Sequence, residues 1–250
     1  MSFASRPHAV LPLAALLLTC TASHATITLG HGQRINMAEL FAPGSDRRVA
    51  IDDKIFTFES YTSSQFEKAD FTVVGYISET VNQWGLHEVG FDITGSFQDG
   101  NPRDGLMHEL NLQYSVEVSP EAYSRHVRLC DTHLLFDGMA TGVGSYARVD
   151  ETIWNLDANR FLGNMSAYDK FGPPHMTKLS DMRDFCDLYG VDGYRAFEVN
   201  KDLKFFARGE NGWAGATFVR QSFTQMIAPA PGAAALVALG GLMTTRRRRG

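Results

Sequence analysis

The stretch Leu106 to Val118, LMHELNLQYSVEV, alternates between two kinds of side chain. One set of positions runs through Leu106, His108, Leu110 and on to Val118 and is mostly apolar, whereas the positions between them are polar apart from Met107. Successive side chains of a strand point to opposite faces of a sheet. The stretch therefore predicts a β-strand with one buried and one exposed face.

Similar but shorter alternating runs occur along the whole body of the chain. They are Ile55 to Tyr61, Phe71 to Ser78, Leu86 to Phe97, Val127 to Phe136, Gly144 to Trp154, Ala196 to Arg208 and Trp213 to Met226. Turn-forming clusters such as Asp99 to Gly105 separate them. Short strands joined by polar turns predict an all-β fold, an antiparallel β-sandwich of the jelly-roll-like or Ig-like kind. Helical spacing is confined to Asn36 to Phe41 and Lys178 to Leu188.

The N-terminal 25 residues have the pattern of a signal peptide. Arg6 precedes an apolar run from Ala9 to Leu18, and Ser23 and Ala25 form the small-x-small pattern that signal peptidase recognises. We expect cleavage after Ala25 and export of the remainder.

The C-terminal stretch 228–250, APAPGAAALVALGGLMTTRRRRG, combines prolines, small apolar residues and an arginine block. A helix over the uncharged part, Gly232 to Met243, would be about 18 Å long, against a hydrocarbon core of roughly 30 Å. If the helix is extended to about 229–245, it becomes long enough for a marginal transmembrane segment. The arginines favour the cytoplasmic side, which leaves the body of the chain outside.

This tail resembles the C-terminal sorting signal of PEP-CTERM proteins. The matching positions are the motif Pro229, Ala230 and Pro231, the apolar segment, and the basic stop Arg246, Arg247, Arg248 and Arg249. The usual Glu between the two prolines is Ala230 here. The resemblance implies transient anchoring in the inner membrane of a Gram-negative-type bacterium and processing by an exosortase. The final location would be the cell envelope, the outer surface or the extracellular matrix.

The body, residues 26–227, also resembles a recurring type of PEP-CTERM protein. The matching segments are NMAELF (Asn36 to Phe41), AIDDKIFTFESY (Ala50 to Tyr61), HELNLQYSVEV (His108 to Val118) and GVGSYARVDET (Gly142 to Thr152). The resemblance implies a β-rich exported domain with no established biochemical activity. Residues 155–194 fall outside the pattern and are expected to form an insertion with a short helix.

The charge of the body argues against some classes of partner. All 28 Asp and Glu but only 18 of the 23 Lys and Arg lie within residues 26–245, which gives that part a formal net charge of −10. A chain this acidic, with no basic cluster outside its tail, is a poor candidate for binding nucleic acid or anionic lipid. It has the charge to attract cations.

Two cysteines, Cys130 and Cys186, remain after removal of the signal peptide. In an exported protein such a pair is a candidate disulfide, and two buried free thiols are the alternative.

The metal-binding signals are weak, and we expect no cofactor. His87-Glu88 and His108-Glu109 lack the second histidine of a zinc-protease helix, and Asp131 with His133 supplies only two ligands. A cluster of acidic residues supports calcium as a secondary hypothesis, with the solvated face of a helix as the simpler interpretation. Its members are Asp181, Asp184, Asp187 and Asp192.

No catalytic motif stands out, so the leading hypothesis is a non-enzymatic structural or adhesive protein. The first alternative is a glycan- or calcium-binding module, with extracellular polysaccharide as the partner. Trp84, Trp154 and Trp213 are its candidate sugar-stacking residues. It requires the tryptophans and the acidic cluster to meet on one exposed surface. The second alternative is a secreted hydrolase with two carboxylates in a cleft.

Overall fold

The alternating segments form strands that pair into two large sheets. The structure, a computed structural model, describes residues 26–229. The strands are β1 (Ile27–Thr28), β2 (Arg34–Asn36), β3 (Arg48–Ile51), β4 (Lys54–Ser63), β5 (Thr72–Val81), β6 (His87–Asp99), β7 (His108–Val118), β8 (Val127–Leu129), β9 (Asp131–Phe136), β10 (Met139–Thr141), β11 (Tyr146–Asn155), β12 (Arg160–Lys170), β13 (Met176–Lys178), β14 (Ser180–Asp184), β15 (Ala196–Phe206), β16 (Trp213–Phe223) and β17 (Gln225–Ile227). The helices are α1 (Met37–Leu40), α2 (Pro120–Ser124) and α3 (Phe185–Tyr189), and a 3₁₀ turn spans Lys68–Asp70.

The first sheet has eight strands in the order β1-β3-β4-β7-β15-β11-β12-β13. The second has the order β14-β9-β16-β6-β5-β2, with β10 beside β16, and β17 pairs with β8 in a separate two-stranded ribbon. Neighbouring strands are antiparallel except β1 and β3. The chain crosses repeatedly between the sheets, so residues distant in sequence meet at each end of the sandwich.

Aromatic side chains fill the space between the two sheets. Phe56 of β4 packs edge-on against Phe91 of β6, with ring centroids 5.2 Å apart. At the far end of the same layer, Phe205 of β15 lies 5.8 Å from Phe97 of β6. Contacts of this kind across the layer make the fold a β-sandwich with one hydrophobic core.

The strand predicted from the alternating stretch is confirmed as β7. Its apolar side chains from Leu110 to Val118 are buried, and the residues between them face outward. The alternation begins later than expected: Leu106 precedes the strand and is 53% exposed. His108 is partly exposed, and its Nδ1 lies 2.8 Å from the carbonyl oxygen of Gln98. Both His-Glu pairs, His87-Glu88 and His108-Glu109, lie at the starts of strands, whereas a zinc-protease motif requires a helix.

The short helix expected after Asn36 is confirmed as α1. The side-chain oxygen of Asn36 accepts a hydrogen bond from Ala38 N at 2.8 Å, which caps the helix.

The helix predicted from Lys178 to Leu188 is wrong over its first half. Residues Ser180–Asp184 form the edge strand β14, which pairs with β9, and only Phe185–Tyr189 are helical. Leu179 and Met182, which suggested a helical face, are exposed. Their spacing therefore reflects a partly apolar sheet edge.

The segment 155–194 also differs from the expected helical insertion. Its strand β12 pairs with β11 along ten positions, and β14 extends the opposite sheet. It supplies edge strands to both layers and contributes Leu162, Met165 and Phe185 to the core.

The residues of the predicted terminal signals lie almost entirely outside the described part of the chain. These are Ser23 and Ala25 at the N-terminus, and Ala230, Pro231 and the arginine block at the C-terminus. Pro229 is the last described residue and is exposed. Between residues 26 and 229, no helix has the length and apolar character needed to cross a membrane.

Candidate functional site: an acidic cleft beside Trp84

One end of the sandwich carries a cleft of about 550 Å³. Four separate segments meet there, and we call the site the Trp84 cleft. Its lining residues are Asn82, Gln83, Trp84, Cys130, Asp131, Asp184, Cys186, Asp187, Gly190, Val191, Asp192, Thr224, Gln225 and Met226. A volume of this size accommodates a small ligand or a few units of a polymer.

The tight turn between β5 and β6 presents Trp84 at the cleft. Asn82 Oδ1 accepts hydrogen bonds from Trp84 N at 2.9 Å and Leu86 N at 3.2 Å. The Asn82 amide also donates to Gln225 O at 2.7 Å, which ties the turn to β17. Gly85 has φ of 72°, a left-handed conformation that glycine adopts readily. The indole is therefore held on a braced turn while 42% of the residue stays exposed.

The acidic wall of the cleft is built around α3. Asp184 caps this helix, since its side chain accepts a hydrogen bond from Asp187 N at 2.9 Å. Gly190 ends the helix in the left-handed conformation, with φ of 60°, and turns the chain toward Asp192. Three carboxylates thereby line one wall.

Asp131, at the start of β9, forms the floor. Its Oδ1 accepts a hydrogen bond from Thr224 N at 2.9 Å and lies 3.2 Å from Nε2 of His133. Burial raises the pKa of the Asp131 carboxyl, but the contacts with His133 and Thr224 lower it by more, so its pKa lies below the usual range. Burial likewise lowers the pKa of His133, and the carboxylates of Asp131, Glu88 and Asp184 raise it by more, so the net shift is upward.

The disulfide between Cys130 and Cys186 forms part of the cleft wall. The structure joins the two sulfurs, with the Cα atoms 5.1 Å apart, a normal separation for such a bond. It fastens α3 to the strand end that carries Asp131. The acidic wall and the floor of the cleft are therefore held together by one covalent bond.

The four aspartates of the calcium hypothesis are not gathered at one point. Asp184, Asp187 and Asp192 line the Trp84 cleft, but Asp181 lies elsewhere, where it pairs with Lys178 at 2.8 Å and accepts from Ser166 N at 3.0 Å. Among the described residues, the one close group of three metal-ligating side chains is Cys130, Asp184 and Cys186. Its sulfurs are joined in the disulfide, so the group offers one carboxylate.

The three tryptophans do not share a surface. Trp154 lies on the outer face of β11 and packs against Phe161, with centroids 5.5 Å apart. Trp213 begins β16, beside Gly100, at the opposite end of β6 from Trp84. A glycan-binding surface was expected to bring the tryptophans and the acidic cluster together. The structure does this only in part, since Trp84 lies beside three of the four aspartates.

Asn82, Thr224 and Gln225 were not singled out in the sequence. They lie in or beside short turns, and only the pairing of β16 with β9 and β6 places them together. An Asn two residues before a Trp-Gly turn is a recognisable turn signal, but it does not indicate a binding site.

Charge gives the cleft its chemical character. Four aspartates line it, and among the described residues 26–229 no Lys, Arg or His does. Carboxylates accept hydrogen bonds from hydroxyl groups, side-chain amides both accept from and donate to them, and carboxylates attract ammonium groups. The exposed indole adds a flat apolar surface of the kind that packs against rings.

Comparisons with known proteins give distant likenesses only. No protein-family model and no curated protein matches the chain. A carbohydrate-binding module with specific mannan recognition has a TM-score of 0.27 and 8% identity, over 77% of this chain and 96% of that one. A DUF4465 family protein from Bacteroides caccae has a TM-score of 0.26 and 10% identity, over 76% of this chain and 92% of that one.

Proposed function

We propose that this chain is an exported protein of the cell envelope or extracellular matrix whose β-sandwich, of the jelly-roll kind, binds glycan in the Trp84 cleft. The observation that carries the proposal is the meeting of an exposed, braced indole with three carboxylates of the acidic segment 181–192 and with Asp131. Sugars present an apolar ring face and a rim of hydroxyl groups, and this pairing of groups is complementary to both.

Export is the second part of the proposal, and three features support it. The N-terminal pattern is that of a signal peptide, the C-terminal pattern resembles an exosortase signal, and the cleft wall contains a disulfide, a bond typical of proteins in oxidising compartments. Signal peptidase and an exosortase are the processing partners in this proposal. Glycan binding would give the exported protein its adhesive role.

The acidity of the cleft narrows the glycan class to neutral or amine-bearing sugars. A uronate or a sulfated sugar would bring negative charge next to Asp131, Asp184, Asp187 and Asp192, without a lysine or arginine in the lining to offset it. An amino sugar would instead gain charge-assisted hydrogen bonds.

Affinity electrophoresis of the purified protein tests the proposal with chitosan as the amine-bearing polymer, dextran as the neutral one and alginate as the uronate. We expect retardation by chitosan or dextran and none by alginate. Trp84→Ala should weaken binding by roughly tenfold, because loss of an aromatic stacking contact costs about 1.4 kcal/mol. Trp154→Ala is the matched control and should bind normally, since Trp154 lies on the outer sheet face. Absence of retardation by these polymers and by the producer's own polysaccharide would overturn the proposal, as would equal binding by Trp84→Ala.

A further inference from the structure

A buried lysine lies beneath the Trp84 cleft, at the start of β4. Lys54 occupies the first inward position of a strand whose next inward residues are Phe56 and Phe58, and its side chain has no exposure to solvent. Asp53 precedes it in the turn from β3. Gln225, 171 residues further along the chain, begins β17 and is 2% exposed. The fold therefore places an amine, a carboxylate and a primary amide together at the edge of the core.

Hydrogen bonds join these three groups in a closed ring. Lys54 Nζ donates to Asp53 Oδ1 at 2.9 Å and also contacts Oε1 of Gln225. The Gln225 amide nitrogen, Nε2, donates to the other carboxylate oxygen, Oδ2 of Asp53, at 2.8 Å. The Asp53 carboxylate thus contacts both the Lys54 amine and the Gln225 amide nitrogen, and the Gln225 carbonyl oxygen faces the same amine.

We propose that Lys54 and Gln225 condense spontaneously into an isopeptide bond, with Asp53 carrying the protons and ammonia as the leaving group. A buried amine held against a side-chain amide is the arrangement that transamidation requires, because the Lys54 amine already contacts the Gln225 carbonyl oxygen, one bond from the carbon that it would attack, and is shielded from water. The proposal concerns the core of the fold and is independent of glycan binding.

The step balances without any further reactant. Asp53 takes a proton from the Lys54 ammonium, and the freed amine attacks Cδ of Gln225 to form the new N–C bond. Asp53 returns the proton to Nε2, the Cδ–Nε2 bond breaks, and ammonia departs. The second proton lost from Nζ passes through Asp53 to the ammonia, which leaves as ammonium. The net change converts one lysine ammonium and one primary amide into one secondary amide and one ammonium ion.

Two features of the site favour this step. Burial lowers the pKa of the Lys54 amine, against the opposing effect of the Asp53 charge, which eases loss of the first proton. Gln225 also lines the Trp84 cleft, so the released ammonia has an open path to solvent. The product buries a neutral amide in place of the fully buried lysine ammonium and thereby removes the desolvation cost of that charge, while the Asp53 carboxylate, with 11% of its side chain exposed, keeps its own.

A second buried lysine provides an internal comparison. Lys201 Nζ contacts Glu151 and lies 2.9 Å from Gln221 Oε1, but the amide nitrogen of Gln221 donates to Thr132 Oγ1 and makes no hydrogen bond with the carboxylate. Glu151 therefore does not connect the amine with the leaving nitrogen. We expect Lys201 to remain a free amine.

The bond would join the first long strand of the sandwich to its last strand. β17 ends at Ile227, directly before the C-terminal segment that carries the predicted sorting signal. A chain held to a surface through that segment would transmit tension from β17 directly into β4, the third strand from the β1 edge of the eight-stranded sheet. The tension would then pass through the covalent bond, and the hydrogen bonds between β17 and β8 would not have to resist it.

Mass spectrometry of the full-length chain, purified in folded form and then reduced and denatured, tests the proposal. The intact mass should be about 17 Da below the mass expected from the same chain ends, the loss of one ammonia. Trypsin should fail to cut after Lys54 and should release residues 49–68 joined to a peptide that begins at Gln221. Lys54→Met and Asp53→Asn should restore the full mass, whereas Lys204→Met, a partly exposed lysine, should keep the deficit.

The mass of the wild-type protein decides the test by itself, so the proposal can still be tested if a variant fails to fold. A folded wild-type chain with no mass deficit would overturn the proposal. The same holds for a deficit that maps to Lys201 with Gln221, or to an ester between Thr132 and Gln221.

Discussion

Replacing Lys201 by methionine should destabilise the fold strongly, because Lys201 is the centre of a buried polar cluster. Its amine contacts Glu151 on the neighbouring strand β11 and donates to Gln221 across the core at 2.9 Å. The side chains of Lys201 and Glu151 have no exposure to solvent. Burial lowers the pKa of Lys201 well below its ordinary value, because removal from water disfavours the charged amine.

The cost follows from what the substitution leaves behind. Lys201→Met keeps most of the apolar stem but deprives the Glu151 carboxyl of its partner, and Oε2 of Glu151 already lacks one. Breaking a buried pair by removing one member costs about 3 to 5 kcal/mol. For a domain of this size, where each kcal/mol shifts Tm by about 2 to 4 °C, Tm should fall by roughly 6 to 20 °C.

A double variant separates a lost pair from a lost side chain. Lys201→Met with Glu151→Met removes both members and leaves only the Gln221 carbonyl without its donor, which costs about 1 to 3 kcal/mol. The double variant should therefore be more stable than Lys201→Met alone. Lys204→Met on the outward face of the same strand is the control, and its partly exposed pairs should contribute less than about 1 kcal/mol.

Urea unfolding at neutral pH, followed by circular dichroism, gives these free energies. The role of the core pair is refuted if Lys201→Met is no more destabilised than Lys204→Met, or if the double variant is as unstable as Lys201→Met. Either result would mean that the loss of Lys201 does not leave an unpaired buried carboxyl at Glu151.

The remaining predictions concern the cleft and the two chain ends. Reducing the disulfide, or replacing Cys130 and Cys186 by serine, should lower the free energy of unfolding by about 4 kcal/mol in urea, and two free thiols in the non-reduced exported protein would contradict it. His133 has a raised pKa in the folded state, so its contribution to stability is present below about pH 6.5 and is lost as pH rises through the raised value. His133→Gln should flatten the pH profile of unfolding free energy in that window, and an unchanged profile would exclude the pairing with Asp131. Mass spectrometry of the exported protein should find a new N-terminus after Ala25 and no peptide that contains Arg249, and recovery of that peptide would refute the sorting signal.

The strands were predictable because alternation is a local property. Each residue of β7 from Leu110 to Val118 has the polarity that its face requires, and no distant contact is needed to predict the strand. The same alternation places two lysines in the core: Lys54 precedes Phe56 in the inward register, and Lys201 stands between two buried residues, Val199 and Leu203. A charged residue at an inward position is a sequence signal for a buried polar cluster.

The edge segment and the cleft could not be predicted in the same way. The residues of β14 are mostly polar or exposed, and their strand conformation depends on hydrogen bonds to β9, more than 40 positions earlier in the chain. The cleft joins residues near 82, 131, 187 and 225, and their meeting is set by strand order, which the alternating pattern does not encode. Helical spacing in the sequence grouped Asp181 with Asp184. In the structure Asp181 lies within strand β14 and Asp184 at its end, and only Asp184 lines the cleft.

One end of the sandwich concentrates the covalent and charged features of this protein. The disulfide holds α3 against β9, and Gln225 contacts both the Asn82 turn that presents Trp84 and the buried Lys54. Strand β17 ends one residue after Met226, which itself lines the cleft. Tension applied through the C-terminal segment would therefore act first on the residues that shape the cleft, and would open it if β17 were held only by its three pairings with β8. A covalent bond from Gln225 to Lys54, as proposed above, would carry that tension into β4 and so protect the shape of the cleft, whichever ligand the cleft binds.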